Sequence, residues 1–190
     1  MAPTSISATS IETISTPFNG ASYPVATKTH YEFPARDGMP AVSMTWYDGG
    51  KLPPLPKGLE ASRAFEERYG YYLVGDSGVI YDPSEKCASP RLVPESRMRE
   101  AKFPPKTIPR VPGGDPFQEW ISACKGGPLP GSNFEYAAPL TEMVLLGCLA
   151  TRFPKTDLKW DTKALKFTNN DKANAFVKRQ YRKGFEVEGL

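Results

Sequence analysis

Residues 139–151 restrict the fold of this 190-residue chain more than any other stretch. A helix is predicted from about Pro139 to Thr151, and Leu140, Met143, Val144, Leu145, Leu146, Cys148, Leu149 and Ala150 wrap most of its circumference. A helix that is apolar nearly all round is a buried one. At ~13 residues it falls short of the ~20 that a bilayer requires, so no membrane partner is expected. The rest of the chain must therefore supply layers to cover it.

A second helix is predicted just upstream. Asp115 is a good N-cap, Pro116 suits the first helical position, and Gln118 completes a capping-box spacing. Phe117, Trp120, Ile121 and Cys124 recur at i, i+3, i+4 and i+7, one apolar face, and Gly126 and Gly127 supply the stop. Upstream, strand patterns dominate. Residues 5–14 are rich in Ser, Thr and Ile. Residues 25–33 alternate, with Val25, Thr27, Thr29, Tyr31 and Phe33 on one face and Lys28, His30 and Glu32 on the other. Residues 41–47 return with Val42, Met44 and Trp46 on one face, giving a three-stranded meander. Residues 59–68 read as a short helix. Residues 71–74 and 79–81 flank Gly75-Asp76-Ser77-Gly78 as a hairpin. Residues 83–114 hold many prolines and no period, as a long surface excursion does. Residues 158–167 read as short strands around a turn, and Asn170 caps a last helix over residues 171–179. Strands followed by helices make the predicted class α+β, in a single domain over residues 1–190.

Composition excludes several functions. The net charge of +3 arises from interspersed charges and steers no particular partner. Lys178, Arg179, Arg182 and Lys183 suit the C-terminal end of the last predicted helix, so no nucleic-acid partner is expected. Cys87, Cys124 and Cys148 lie far apart without metal-ligand spacing, and the latter two fall on apolar helix faces as core residues do. The first residues, MAPTSISATS, lack the basic and apolar regions of a signal peptide, so the expected compartment is the cytoplasm.

No catalytic set emerges. GDSG at residues 75–78 would need a base and an orienting carboxylate, but His30 is the only histidine and lies mid-strand, so the motif reads as a turn. A lone histidine builds no multi-histidine metal site. LPPLP at residues 52–56 reads as a rigid connector. No G-x-G-x-x-G follows a strand. The segment Trp46-Tyr47-Asp48-Gly49-Gly50 stands apart. Two aromatics and a carboxylate at a strand end suit stacking on, and hydrogen bonding to, a sugar-like polyol. A hairpin with Trp46 in the core and Asp48-Gly49 as turn residues accounts for them equally, and both readings stand at this point.

Taken together, several segments resemble the C-terminal domain of the bacterial Gfo/Idh/MocA oxidoreductases. They are YEFPARDGMPAVSMTWYDGG (31–50), GDSGVIYD (75–82), PRLVPES (90–96), PPKTIPR (104–110), EWISACKGG (119–127), SNFEYAAPLTEMVLLGCLA (132–150), LKWDTKALKFTNNDKAN (158–174) and YRKGFEV (181–187). The resemblance implies a large, open, mostly antiparallel sheet backed by helices. It implies a substrate wall and a homo-oligomer formed through the sheet, in an enzyme that transfers hydride to or from sugars, cyclitols or their derivatives. NAD or NADP would bind an N-terminal Rossmann domain outside this sequence. The family's catalytic lysine, in an E-K-P segment, and its Asp/His pair have no counterpart here, so the chain is expected to carry no catalytic or cofactor-binding residue and to be inactive alone. Trp46, Tyr47, Asp48 and Asn133, polar or aromatic groups at element ends, are the expected substrate-facing residues. The rival expectation is a stand-alone, non-enzymatic carbohydrate-binding or protein-interaction domain.

Overall fold

The computed structural model describes the backbone of residues 10–15 and residues 19, 21–60, 69–84 and 87–187. In chain order these form β1 (Ser10–Ser15), β2 (Thr27–Phe33), β3 (Val42–Tyr47), β4 (Tyr71–Gly75), β5 (Gly78–Asp82) and β6 (Arg91–Val93). Then come α1 (Glu95–Glu100), α2 (Pro116–Cys124), α3 (Phe134–Ala150), β7 (Trp160–Asp161), β8 (Lys166–Phe167) and α4 (Asp171–Asn174). The class is α+β. The strands are all paired antiparallel and lie in three sheets, β1–β2–β3, β4–β5–β6 and β7–β8; no single large sheet occurs among the described residues. The predicted helix over residues 59–68, and the start of the first predicted strand, fall largely outside the described residues.

The described residues of Met1–Gly49 and Asp115–Leu190 make one compact unit, and those of Gly50–Gly114 a second. In the first, β2 is the central strand of the meander, with Tyr31 opposite Met44 in β3 and opposite Ile11 in β1. Its alternation is physical: Thr27, Thr29, Tyr31 and Phe33 are buried, while Lys28, His30 and Glu32 face outward half-buried. The connection to β3 closes at Asp37 (φ 44°) and Gly38 (φ 76°), between paired Arg36 and Met39. Asp-Gly is the pair that two consecutive positive φ angles demand.

Helix α3 lies against the inner face of the meander. Tyr31, Phe33, Leu146, Ala150, Leu158, Trp160, Phe167 and Ala173 form the buried core, and Met44, Met143 and Leu149 pack on it. At Gly147 the helix approaches so closely that a Cβ would overlap Tyr31 Oη. Trp160 packs edge-to-face on Phe167, with centroids 4.9 Å apart, and its indole donates to Glu142 at 2.6 Å. The side-chain amide of Asn174 pairs with the Phe167 backbone like a neighbouring strand, at 2.7 and 2.9 Å.

Four expectations are corrected here. Helix α3 begins at Phe134, not Pro139, because Asn133 caps it; Pro139 sits inside the helix, where its missing N–H leaves only the Glu135 carbonyl without its usual donor. Neither α3 nor α2 is buried all along its apolar residues: Leu140, Val144 and Leu145 are exposed, as are Phe117, Trp120, Ile121 and Cys124, because the meander covers one side of α3 alone. The last helix stops at Asn174 and continues as tight turns, Phe176 N–H to Ala173 and Val177 N–H to Asn174, so the basic residues 178–183 are not at a helix end. Residues 83–114 are not a bare excursion, since they contain β6 and α1, elements too short to show a period.

In the second unit, Asp76 and Ser77 are the turn of the β4–β5 hairpin, and the Arg97 guanidinium donates to the Ser77 carbonyl. The buried Asp82 carboxylate organises the following loop by accepting from Ser84 N–H (2.7 Å), Ser84 Oγ (2.5 Å) and Ser89 N–H (3.1 Å). Burial pushes its pKa up, but these bonds outweigh that and hold it below the ordinary carboxylate value.

Gly147→Ala should destabilise the chain by about 1–3 kcal/mol in urea unfolding, the usual cost of overpacking. In a Tyr31→Phe background, which removes the overlapped hydroxyl, the cost should fall; an equal cost in both backgrounds contradicts the packing described. Burial, with Cys148 and Asp48 nearby, also pushes the Tyr31 phenol from 10.0 up to about 12. An unfolded chain ionises this phenol earlier than the folded one, so stability present below pH 10.0 should fall as the pH rises toward about 12. Alkaline unfolding of Tyr31→Phe should show a shallower loss than that of the parent chain.

Candidate functional site

The end of the β2–β3 pair is fastened by Asp48. Its N–H donates to the Thr27 carbonyl (3.2 Å), and its Oδ1 accepts from Thr27 N–H (2.5 Å). Oδ2 accepts from Thr27 Oγ1 (2.6 Å) and from the Trp46 indole N–H (3.3 Å). The chain then turns at Gly49 (φ 60°), where a Cβ would overlap the Val25 carbonyl and Ala26, so only glycine fits. The clamp has two consequences. The carboxylate already has three donors. The indole is held by its N–H while 58% of the residue stays exposed.

The four residues expected from the sequence are placed differently from one another. Trp46 and Asp48 share the inner face of the sheet with Thr27, Trp46 exposed and Thr27 buried. Tyr47 points to the opposite face, as the period-two strand requires, with the Lys28 ammonium 5.5 Å from its ring centroid. Asn133 is the N-cap of α3: its Oδ1 accepts from Tyr136 N–H at 3.3 Å, and its Nδ2 donates to the Pro130 carbonyl at 3.0 Å. Both ends of that amide are occupied by backbone. Thr27 is the member that sequence reasoning missed. It is 21 positions from Asp48, and the only available signal was the register of the meander.

The outer face of the sheet carries three polar cross-strand pairs, Lys28–Tyr47, His30–Thr45 and Glu32–Ser43. His30 Nδ1 lies 3.0 Å from Thr45 Oγ1, and Nε2 lies 2.5 Å from Glu32 Oε1. Ser43 Oγ donates to Glu32 Oε2 at 2.7 Å. The Ser43 hydrogen bond, and after it the one from His30, hold the Glu32 carboxyl below the ordinary value. The order hydroxyl–imidazole–carboxylate has the connectivity of a nucleophile relay. It lies on an open sheet face with the His30 and Glu32 side chains 39% and 41% exposed, where water screens the charges that such a relay must concentrate.

Among the described residues no cluster of three His, Cys, Asp or Glu could hold a metal, and no helix is long and apolar enough to cross a membrane. The strand pairs are all antiparallel, and among the described residues no strand runs through a glycine-rich turn into a helix N-terminus. No protein-family model matches the chain, and no curated protein sequence matches it.

Ser43→Ala removes the main cause of the lowered Glu32 pKa. A carbon-detected NMR titration should show that pKa rising toward 4.5, and no rise would contradict the bond. A lowered carboxylate pKa stabilises the fold above the ordinary range and loses that effect as pH falls, so the variant's disadvantage should shrink in acid.

Proposed function

We propose that the chain is the sugar-facing C-terminal domain of a Gfo/Idh/MocA-type oxidoreductase. It forms one wall of the substrate site, and a Rossmann domain outside this sequence brings NAD or NADP and the catalytic groups. The β1–β3 meander is then part of the family's large open sheet. The observation that carries the reading is the Trp46 indole, whose ring stays exposed while Asp48 and Thr27 fix its edge. A rigid aromatic plane stacks on the apolar face of a pyranose or cyclitol at little entropic cost. In this reading Trp46 contacts the polyol and Asp48 positions Trp46. Tyr47 stands on the outer face, and Asn133 sets the start of α3.

The same exposed, hydrogen-bonded indole also suits a second reading, a stand-alone carbohydrate-binding domain. Both predict that the chain alone leaves NADH fluorescence unchanged. They part when a cofactor domain is supplied: only the first predicts hydride transfer from the reconstituted enzyme, with Asp48→Ala raising its KM.

Calorimetric titration of the chain with myo-inositol and with glucose tests the shared premise. Trp46→Ala should weaken the tighter of the two by roughly tenfold, equivalent to ~1.4 kcal/mol, and Trp46→Phe should retain most of the affinity. Equal affinity for the parent chain and Trp46→Ala would remove the premise from both readings.

A further inference from the structure

Helix α4 ends at Asn174, so Lys178, Arg179, Arg182 and Lys183 lie beyond the reach of its dipole and are not explained by it. With Lys172 they make five basic side chains over residues 172–185, a stretch without an acidic one. The net charge of the whole chain is only +3, so the remainder is net acidic and the positive charge is concentrated here. Like charges held together in a folded chain repel one another, and a bound anion relieves that repulsion.

The backbone folds this segment into a cleft. The chain reverses over residues 182–185, where Phe185 N–H donates to the Arg182 carbonyl at 3.1 Å and Gly184 takes φ 85°. Two side chains hold the reversal. The Arg182 guanidinium lies 3.8 Å from the Phe185 ring centroid, and the Glu186 carboxylate accepts from Gly184 N–H at 2.7 Å. The reversal places Glu186 with Asn174, Lys178, Arg179, Gln180 and Tyr181 around one open cleft of about 570 Å³. That volume lies within the ~300–1,000 Å³ range of small-molecule sites.

The lining divides by chemistry. The Asn174 amide is engaged at both ends by the Phe167 backbone and serves as wall alone. Among the described residues no carboxylate forms an ion pair with Lys178 or Arg179. A guanidinium fork beside an ammonium suits a phosphate monoester, whose charge of about −1.5 to −2 matches two cations better than a single carboxylate does. The Gln180 amide, the Tyr181 phenol and the Glu186 carboxylate offer donors and acceptors to neighbouring hydroxyls. We propose that this cleft binds a small phosphorylated polyol, with its phosphate on Lys178 and Arg179 and its hydroxyls toward Gln180 and Glu186. A nucleic-acid strand fits less well. It draws its affinity from a run of phosphate contacts, whereas here Arg182 is turned to Phe185 and a carboxylate stands in the lining. The cleft shares no residue with the Trp46–Asp48–Thr27 clamp.

Nitrogen–proton correlation spectra of the chain, titrated with glucose 6-phosphate at constant ionic strength, test the proposal. Saturable shifts should appear at the amides of residues 178–181 and 186, with a Kd of about 1 mM or below, and glucose should leave these amides unmoved. Arg179→Ala and Lys178→Ala should each weaken binding roughly tenfold, and Arg179→Lys by less. Both positions are exposed, and if one variant fails to fold the other carries the test. Trp46→Ala should leave the shifts at residues 178–186 in place, so the result is separate from sugar binding at the indole. The proposal is overturned by an unchanged spectrum, by shifts that sodium chloride reproduces, or by affinity that survives both alanine variants. It is also overturned if a short single-stranded DNA moves these amides and glucose 6-phosphate does not.

Discussion

Helix α3 can lie flat on the meander because residue 147 has no side chain. At that point the backbone comes up against the Tyr31 phenol, and any added carbon would overlap it. The contact sets the separation of helix and sheet. Leu146 and Ala150 then reach the same core as Tyr31 and Phe33, and Leu158, Trp160, Phe167 and Ala173 close it from the C-terminal segment. The strong upward displacement of the Tyr31 pKa is the electrostatic sign of the same contact, since the phenol has been taken out of water with few groups to replace it.

One helix covers one side of a sheet, and the consequences run in two directions. On the sheet, Trp46, an aromatic that alternation assigns to the core side, remains largely in solvent. The Asp48–Thr27 clamp keeps that indole in a defined position instead of letting it collapse onto the sheet. On the helices, the sides of α3 and α2 turned away from the meander keep apolar residues that a folded chain ordinarily hides.

Local patterns made much of this legible. The two faces of β2 follow from the alternation read over residues 25–33 except at Val25, which precedes the strand and lies in solvent, and the Asp115–Pro116 start of α2 follows from capping chemistry. The errors share a physical cause, which is that periodicity reports which residues are apolar and not what covers them. Cys124, Val144 and Leu145 have the pattern of core residues and lie in solvent. The apolar run points to a helix start at about Pro139, but Asn133, with its amide closing the turn from Pro130, starts the helix earlier. Asn174 ends α4 because its amide is engaged by Phe167, a partner seven residues away that no helix rule contains. At the candidate site the residue types were legible, but Thr27 was not, since its bond to Asp48 exists only once β2 and β3 are in register.

The central claim is that a fixed, exposed indole beside the Asp48–Thr27 clamp is where this chain meets a polyol. Nitrogen–proton correlation spectra recorded during a titration with myo-inositol or glucose address it most directly, because each amide reports its own surroundings. The account predicts saturable shifts concentrated at the Trp46 indole N–H and at the Thr27 and Asp48 amides, with α2 and α3 unmoved. Shifts confined to other residues, or a spectrum unchanged by either sugar, would contradict it.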